Sequence, residues 1–164
     1  MRKMISLILL TTFLLLSVGC SCSQQTVIGE VNESKDDEAA IKEVVEAFYQ
    51  ANKNFDWQKI EPKAGLEYWT AEAGERFLEE EANSWVEFVK TQKFSSKLKG
   101  LDFEEIKIEE NEASVEVVSR EEFTSEEDEN LDGIFRGFGF LKLHKNEQLW
   151  QIVDYDFHFV KIEA

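Results

Sequence analysis

Three sets of residues in this 164-residue chain have the types and spacing to do chemistry. The first is Asp128-x-Asn130-x-Asp132-Gly133. Oxygen ligands at every second position followed by a glycine form the opening half of a calcium loop. The twelfth position of such a loop is Gly139, not the bidentate glutamate, so Glu126, Glu127 or Glu129 would have to substitute. The plainer reading is a solvated acidic loop, and calcium is the one cofactor these residues suggest. The second set is Asp154-x-Asp156-x-His158. In a regular strand all three project from one face, as a facial metal site requires; equally, they are the wet edge of a final strand. The third is a set of non-adjacent residues. A hairpin turn at Lys145-Asn146 would set Arg136 opposite Tyr155, Phe138 opposite Val153 and Ile134 opposite Phe157. Arg136, Phe138, Tyr155 and Asp154 then become a candidate ligand site, an apolar concavity with one cation and one phenol, suited to a carboxylate or phenolate. The alternative is that Arg136 pairs with an acidic residue at a rim. Asp154 or Asp156 with Tyr155 could be drafted as base and oxyanion donor. Adjacent strand positions face opposite ways, however, so they converge only across a bulge, and no catalytic residue is assigned.

Composition narrows the classes. With 18 Lys and Arg against 34 Asp and Glu, the formal charge is −16. Such acidity argues against nucleic acid as a partner. Arg136-Gly137-Phe138-Gly139-Phe140-Leu141-Lys142-Leu143 matches the ribonucleoprotein motif of RNA-recognition domains. That fold needs a helix after the strand, whereas a hairpin is expected here, and the partner motif is missing. The alternative is a core strand whose glycines admit a neighbouring element. One Pro, eight Gly and 43% hydrophobic residues exclude collagen-like and low-complexity chains.

The N-terminus reads as an address. Arg2 and Lys3 precede an uncharged run, Met4 to Val18, that closes in Ser17-Val18-Gly19-Cys20. This resembles the signal and lipobox of bacterial lipoproteins. The resemblance implies cleavage before Cys20 and a diacylglyceryl anchor on its thiol, with Cys22 as the alternative acceptor and an uncleaved membrane anchor as the other reading. The expected organisation is a signal peptide over 1–19, a lipidated flexible tether over 20–37 and one domain over 38–164. A coil of that length would reach roughly 23 Å. The expected location is the outer face of the bacterial cytoplasmic membrane. Neither cysteine falls after Cys22, so the domain holds no disulfide and no thiolate site.

The elements that must position these residues follow from periodicity. Ile41, Val44, Val45, Phe48 and Phe55 recur at helical spacing, with Lys42, Glu43, Glu46 and Lys53 between them, predicting a helix from Asp36 to about Asn54. Thr70 should cap a second helix ending near Lys93, with Leu78, Ala82, Trp85, Val86 and Val89 as its apolar stripe. After Gly100 the period becomes two. Strands are expected over Leu101 to Glu109, Ala113 to about Phe123, Gly133 to Leu143 and Leu149 to Ile162. The apolar parity switches within the fourth (Trp150 and Ile152, then Val153, Tyr155, Phe157 and Phe159). It also switches within the third (Ile134, Phe138 and Phe140, then Leu141 and Leu143). Bulges or sharp bends are therefore expected in both.

The predicted class is α+β, N-terminal helices on a strongly curved antiparallel sheet. The opening helix Glu38-Ala39-Ala40-Ile41 to Phe48-Tyr49 and the closing hairpin Leu141 to Asp154, with its Trp150-x-Ile152-Val153-Asp154 ending, resemble the nuclear-transport-factor-2-like superfamily. The resemblance implies a cystatin-like cone and no particular chemistry. The leading functional expectation is a non-catalytic ligand-binding or protein-interaction domain tethered outside the cell. Its ligand would be small and acidic or apolar, its partner an envelope protein or a second copy. The alternatives are a small isomerase or dehydratase using the cone pocket and a dimeric envelope scaffold.

Overall fold

The structure, a computed structural model, describes residues 27–147 and 149–162. The expected signal peptide, Cys20 and the first part of the expected tether lie outside the described residues. Helix α1 spans Val27–Lys53, so it starts nine residues before the expected Asp36 and runs into the segment read as tether. Its buried stripe is Ile41, Val45, Phe48 and Tyr49, the three-to-four spacing of one helix face. Lys53 falls four residues beyond Tyr49 on that stripe and is itself buried. It therefore does not share the wet face with Lys42, Glu43 and Glu46. Asp37 ties the helix to the closing hairpin: its Oδ1 accepts from Lys145 Nζ at 2.6 Å and from Trp150 Nε1 at 3.1 Å.

The second helical region is interrupted. Thr70 caps α2 (Ala71–Phe77) by accepting from Ala73 N–H, as its hydroxyl predicts. A π turn over Leu78–Ala82 follows, then α3 over Asn83–Thr91. This region docks on the last strand through Thr70 N–H to Ile152 C=O at 2.9 Å and Gln151 Nε2 to Trp69 C=O at 3.1 Å.

Four long strands form an antiparallel meander: β1 (Phe94–Glu109), β2 (Glu112–Ser125), β3 (Gly133–Asn146) and β4 (Leu149–Lys161). The α+β class is as expected. β1 starts seven residues earlier than predicted because Gly100 lies within it. Two register shifts bend β1, between Leu98 and Gly100 and between Phe103 and Glu105. A third lies between β3 and β4, where Lys142 pairs with Asp154 but Leu143 pairs with Ile152. Val153 is the extra residue, and its carbonyl accepts from Arg76 Nη2 at 3.2 Å. This bulge accounts for the parity switch in β4, carrying Trp150 and Ile152 to the same face as Tyr155 and Phe157. β3 has no switch: Phe135, Gly137, Gly139, Leu141 and Leu143 all face the helices, and Phe138 and Phe140 face away.

The hairpin register also differs from the expected one. Asn146 pairs with Leu149, so Lys145 and Asn146 still belong to the strand and the turn begins after them, with Glu147 at φ 57°. Arg136 pairs with Val160, Phe138 with His158 and Tyr155 with Leu141. The offset from the expected pairing is odd, and an odd offset exchanges faces.

Side chains between helices and sheet form two clusters. One joins Ile41, Val45, Phe48 and Tyr49 to Val115, Val117, Leu141, Leu143 and Ile152. The other gathers Ile60, Val89, Phe94, Phe123 and Phe135. Between them a space stays unfilled.

Candidate functional site

That space is a cavity of about 350 Å³, within the usual range for a small-molecule site. Its walls are aromatic. Phe48 stands at the end of the α1 stripe, Trp69 just before α2, and Phe77 stacks on Trp69 with ring centroids 5.4 Å apart. Phe77, Glu81 and Trp85, each four residues after the last, line the helical wall where the π turn interrupts the helix; such turns recur at functional sites. Phe123, Tyr155, Phe157 and Phe159 supply the sheet wall.

Two buried charges sit in this apolar lining. Lys53 is 7% exposed and Glu121 1%. Lys53 Nζ lies 3.1 Å from the centroid of Phe157 and 5.6 Å from that of Tyr155, a cation over aromatic faces. Among the described residues no carboxylate comes within ion-pair distance of Lys53. Burial pushes it down to about 8, with the negative charge of Glu121 opposing. Glu121 is held by hydroxyls: Ser119 Oγ donates to Oε1 at 2.7 Å and Ser96 Oγ to Oε2 at 3.4 Å. Tyr155 O–H meets Tyr49 O–H at 3.4 Å, and burial pushes both phenols well up. They are therefore neutral donors near pH 7.

Two glycines make room for this arrangement. A Cβ on Gly139 would collide with the Tyr49 hydroxyl, and one on Gly137 would lie 2.6 Å from the Phe157 ring and collide with Ser119 Oγ. The glycines of the Arg136-to-Leu143 motif thus serve close approach, and β3 leads into a hairpin, not a helix.

The sequence-predicted residues are divided by the sheet. Tyr155 lines the cavity, but Arg136, Phe138 and Asp154 lie on the opposite face, so the expected quartet is not brought together. Asp154 pairs with Lys142 at 3.1 Å, both exposed. Arg136 stands directly opposite Arg120 in a shallow, open concavity of about 1,030 Å³. There Phe138 stacks on His158 with centroids 5.1 Å apart. Asp154, Asp156 and His158 do alternate on one face. Among the described residues, though, no three His, Cys, Asp or Glu side chains are grouped to hold a metal ion. In the acidic loop Asp128 Oδ1 accepts from Asn130 N–H at 3.0 Å and from its amide at 2.9 Å, and Asp132 Oδ1 accepts from Ser125 N–H at 2.6 Å. These carboxylates close turns.

Lys53 and Glu121 escape a motif search, yet both carry a signal. Each is a charge at a core-phase position: Lys53 continues Ile41-Val45-Tyr49, and Glu121 continues Val115-Val117-Ser119 toward Phe123.

Two solved structures of low sequence identity share the architecture. A conserved protein from Planctomyces limnophilus superposes with a TM-score of 0.51 at 19% identity, covering 78% of this chain and 99% of its own. A candidate aromatic ring hydroxylase from Novosphingobium aromaticivorans does so at 0.52 and 14%, covering 78% and 92%. An NTF-2-like protein of unknown function from Silicibacter pomeroyi gives 0.48 and 13%, covering 77% and 98%. At these identities the likeness concerns the fold alone. No protein-family model and no curated protein matches the sequence.

Proposed function

We propose that this chain is a nuclear-transport-factor-2-like pocket domain that binds a small, flat, mainly apolar ligand carrying one oxygen acceptor for Lys53. In this reading the domain is held at the outer face of the membrane by a lipid on Cys20. The basic start, uncharged run and Gly19-Cys20 close support that location. One observation carries the binding reading: an ammonium with no carboxylate in ion-pair distance among the described residues opens onto an aromatic cavity large enough for a ring. An ammonium facing an apolar lining is poorly solvated, and a ligand oxygen would supply the acceptor that the lining does not. An isomerase-type mechanism has less support, because Asp154 is not part of the cavity lining and Asp156, which borders it, alternates with Asp154 and His158 on the exposed face of β4.

Trp69 and Trp85 line the cavity, so their fluorescence reports occupancy. Benzyl alcohol and toluene differ by the oxygen alone. Benzyl alcohol should bind the full chain at least 10-fold more tightly, the order expected for a hydrogen bond to a charged donor. Lys53→Met should bring the two probes together. Absence of a saturable change with either probe, or an unchanged ratio in the variant, overturns the reading.

A further inference from the structure

We propose that Lys53 is a carbonyl-capturing amine, and that the cavity takes up a small aromatic aldehyde or ketone with which Nζ condenses to a Schiff base. The proposal rests on the cavity being a ligand site and goes on to name the ligand's reactive group. A carboxylate is disfavoured on charge grounds. The deep part of the cavity already balances Lys53 with Glu121, and a second buried anion would have no compensating cation. A neutral carbonyl adds none, offers Lys53 an acceptor oxygen, and exposes an electrophilic carbon to the same nitrogen.

The amine is suited to the task by its surroundings. A lysine desolvated in an apolar pocket keeps a usable fraction of free amine near neutrality, and the burial that lowers Lys53 to about 8 supplies that fraction. The ionisable groups around it are Glu121 on β2, Tyr155 and Asp156 on β4, Glu81 in the π turn and Tyr49 on α1. Of these, Glu121 is a carboxyl held inside by two hydroxyls. The step balances without a redox partner. The nitrogen lone pair attacks the carbonyl carbon, and the C=O π pair moves to oxygen. A proton passes from nitrogen to that oxygen, giving a carbinolamine. The C–O bond then breaks as C=N forms, and the second N–H proton joins the departing oxygen, which leaves as water. One amine and one carbonyl give one imine and one water.

The test uses the full chain with limiting benzaldehyde and sodium cyanoborohydride, which fixes an imine as a benzyl amine. At pH 7 intact-mass spectra should show a single adduct, and peptide mapping should place it on Lys53 ahead of the surface lysines by at least 10-fold. Lys53→Met should lose it. The adduct rate in the native chain should rise from pH 6 to 8 and then level, whereas surface lysines continue to rise. Adducts spread over surface lysines, with benzyl alcohol still binding in the cavity, overturn the imine and leave the pocket reading standing. Failure of benzyl alcohol as well overturns both.

Discussion

The two faces of one sheet treat charge in opposite ways. On the outer face Arg120 and Arg136 stand side by side, Asp154 meets Lys142, and Asp156 and His158 alternate along β4, all in contact with water. On the inner face Lys53 and Glu121 are the only buried charged side chains among the described residues. In solvent an ion pair contributes roughly 0–1 kcal/mol. Inside, a single unpaired charge can shift by units of pKa. The outer face, richer in charges, has the patterns that look like motifs; the inner face has the groups that burial perturbs. What separates them is desolvation, and neighbouring residues of the same strand fall on either side of that divide.

Substitutions can break or sharpen this contrast. The largest effect is expected from Gly139→Ala. The new Cβ occupies the place of the Tyr49 hydroxyl and lies 3.0 Å from Val117, so Tyr49 must leave its place in the core. A loss of about 4 kcal/mol in denaturant unfolding is expected, with Tyr155 losing its partner. Next comes Lys53→Met, which should stabilise the fold at pH 7 by up to about 3 kcal/mol, since the folded state no longer buries a charge. The sign is testable by pH. The folded state releases the Lys53 proton near 8, whereas an unfolded lysine holds it to about 10.5. Between these values the unfolded state binds more protons, so native stability rises with pH. Above pH 10 the raised phenols of Tyr49 and Tyr155 oppose the rise. The native chain should therefore gain stability from pH 8 to 10, and the variant should not.

Glu121→Gln removes the charge that opposes desolvation of Lys53. Its titration midpoint should move below 8, by about 1 kcal/mol in the pH-dependent part of stability. Smallest are the outer-face changes. Asp154→Asn should alter unfolding free energy by less than about 0.5 kcal/mol. Arg136→Ala should leave benzyl alcohol binding unchanged; a loss of binding would return the site to the outer face.

The helix around Ile41, Val45 and Phe48, the Thr70 cap and the four strands were all legible as periods and punctuation, because each depends on neighbours a few residues away. The site was not. A turn two residues later than expected shifts the pairing by four and keeps faces; the extra residue at Val153 makes the offset odd, which puts Arg136 and Tyr155 on opposite sides of the sheet. The Val153 bulge was visible as a parity change, but β3 misled. Gly137 and Gly139 are its inward residues, whereas Phe138 and Phe140, the conspicuous apolar ones, face away from the core. Lys53 read as wet because lysine usually is. Only packing against Phe157 shows that the stripe continues through it.

The uninterrupted α1 has a mechanical consequence. Twenty-seven helical residues make a rod about 40 Å long. Its first turn lies toward the chain's N-terminal end and its last residue is Lys53. Between them Asp37 clasps the closing hairpin. The clasp at Asp37 and the amine at Lys53 thus sit on one stiff rod, so a displacement of the closing hairpin and a change in the occupancy of the interior would be felt through the same shaft.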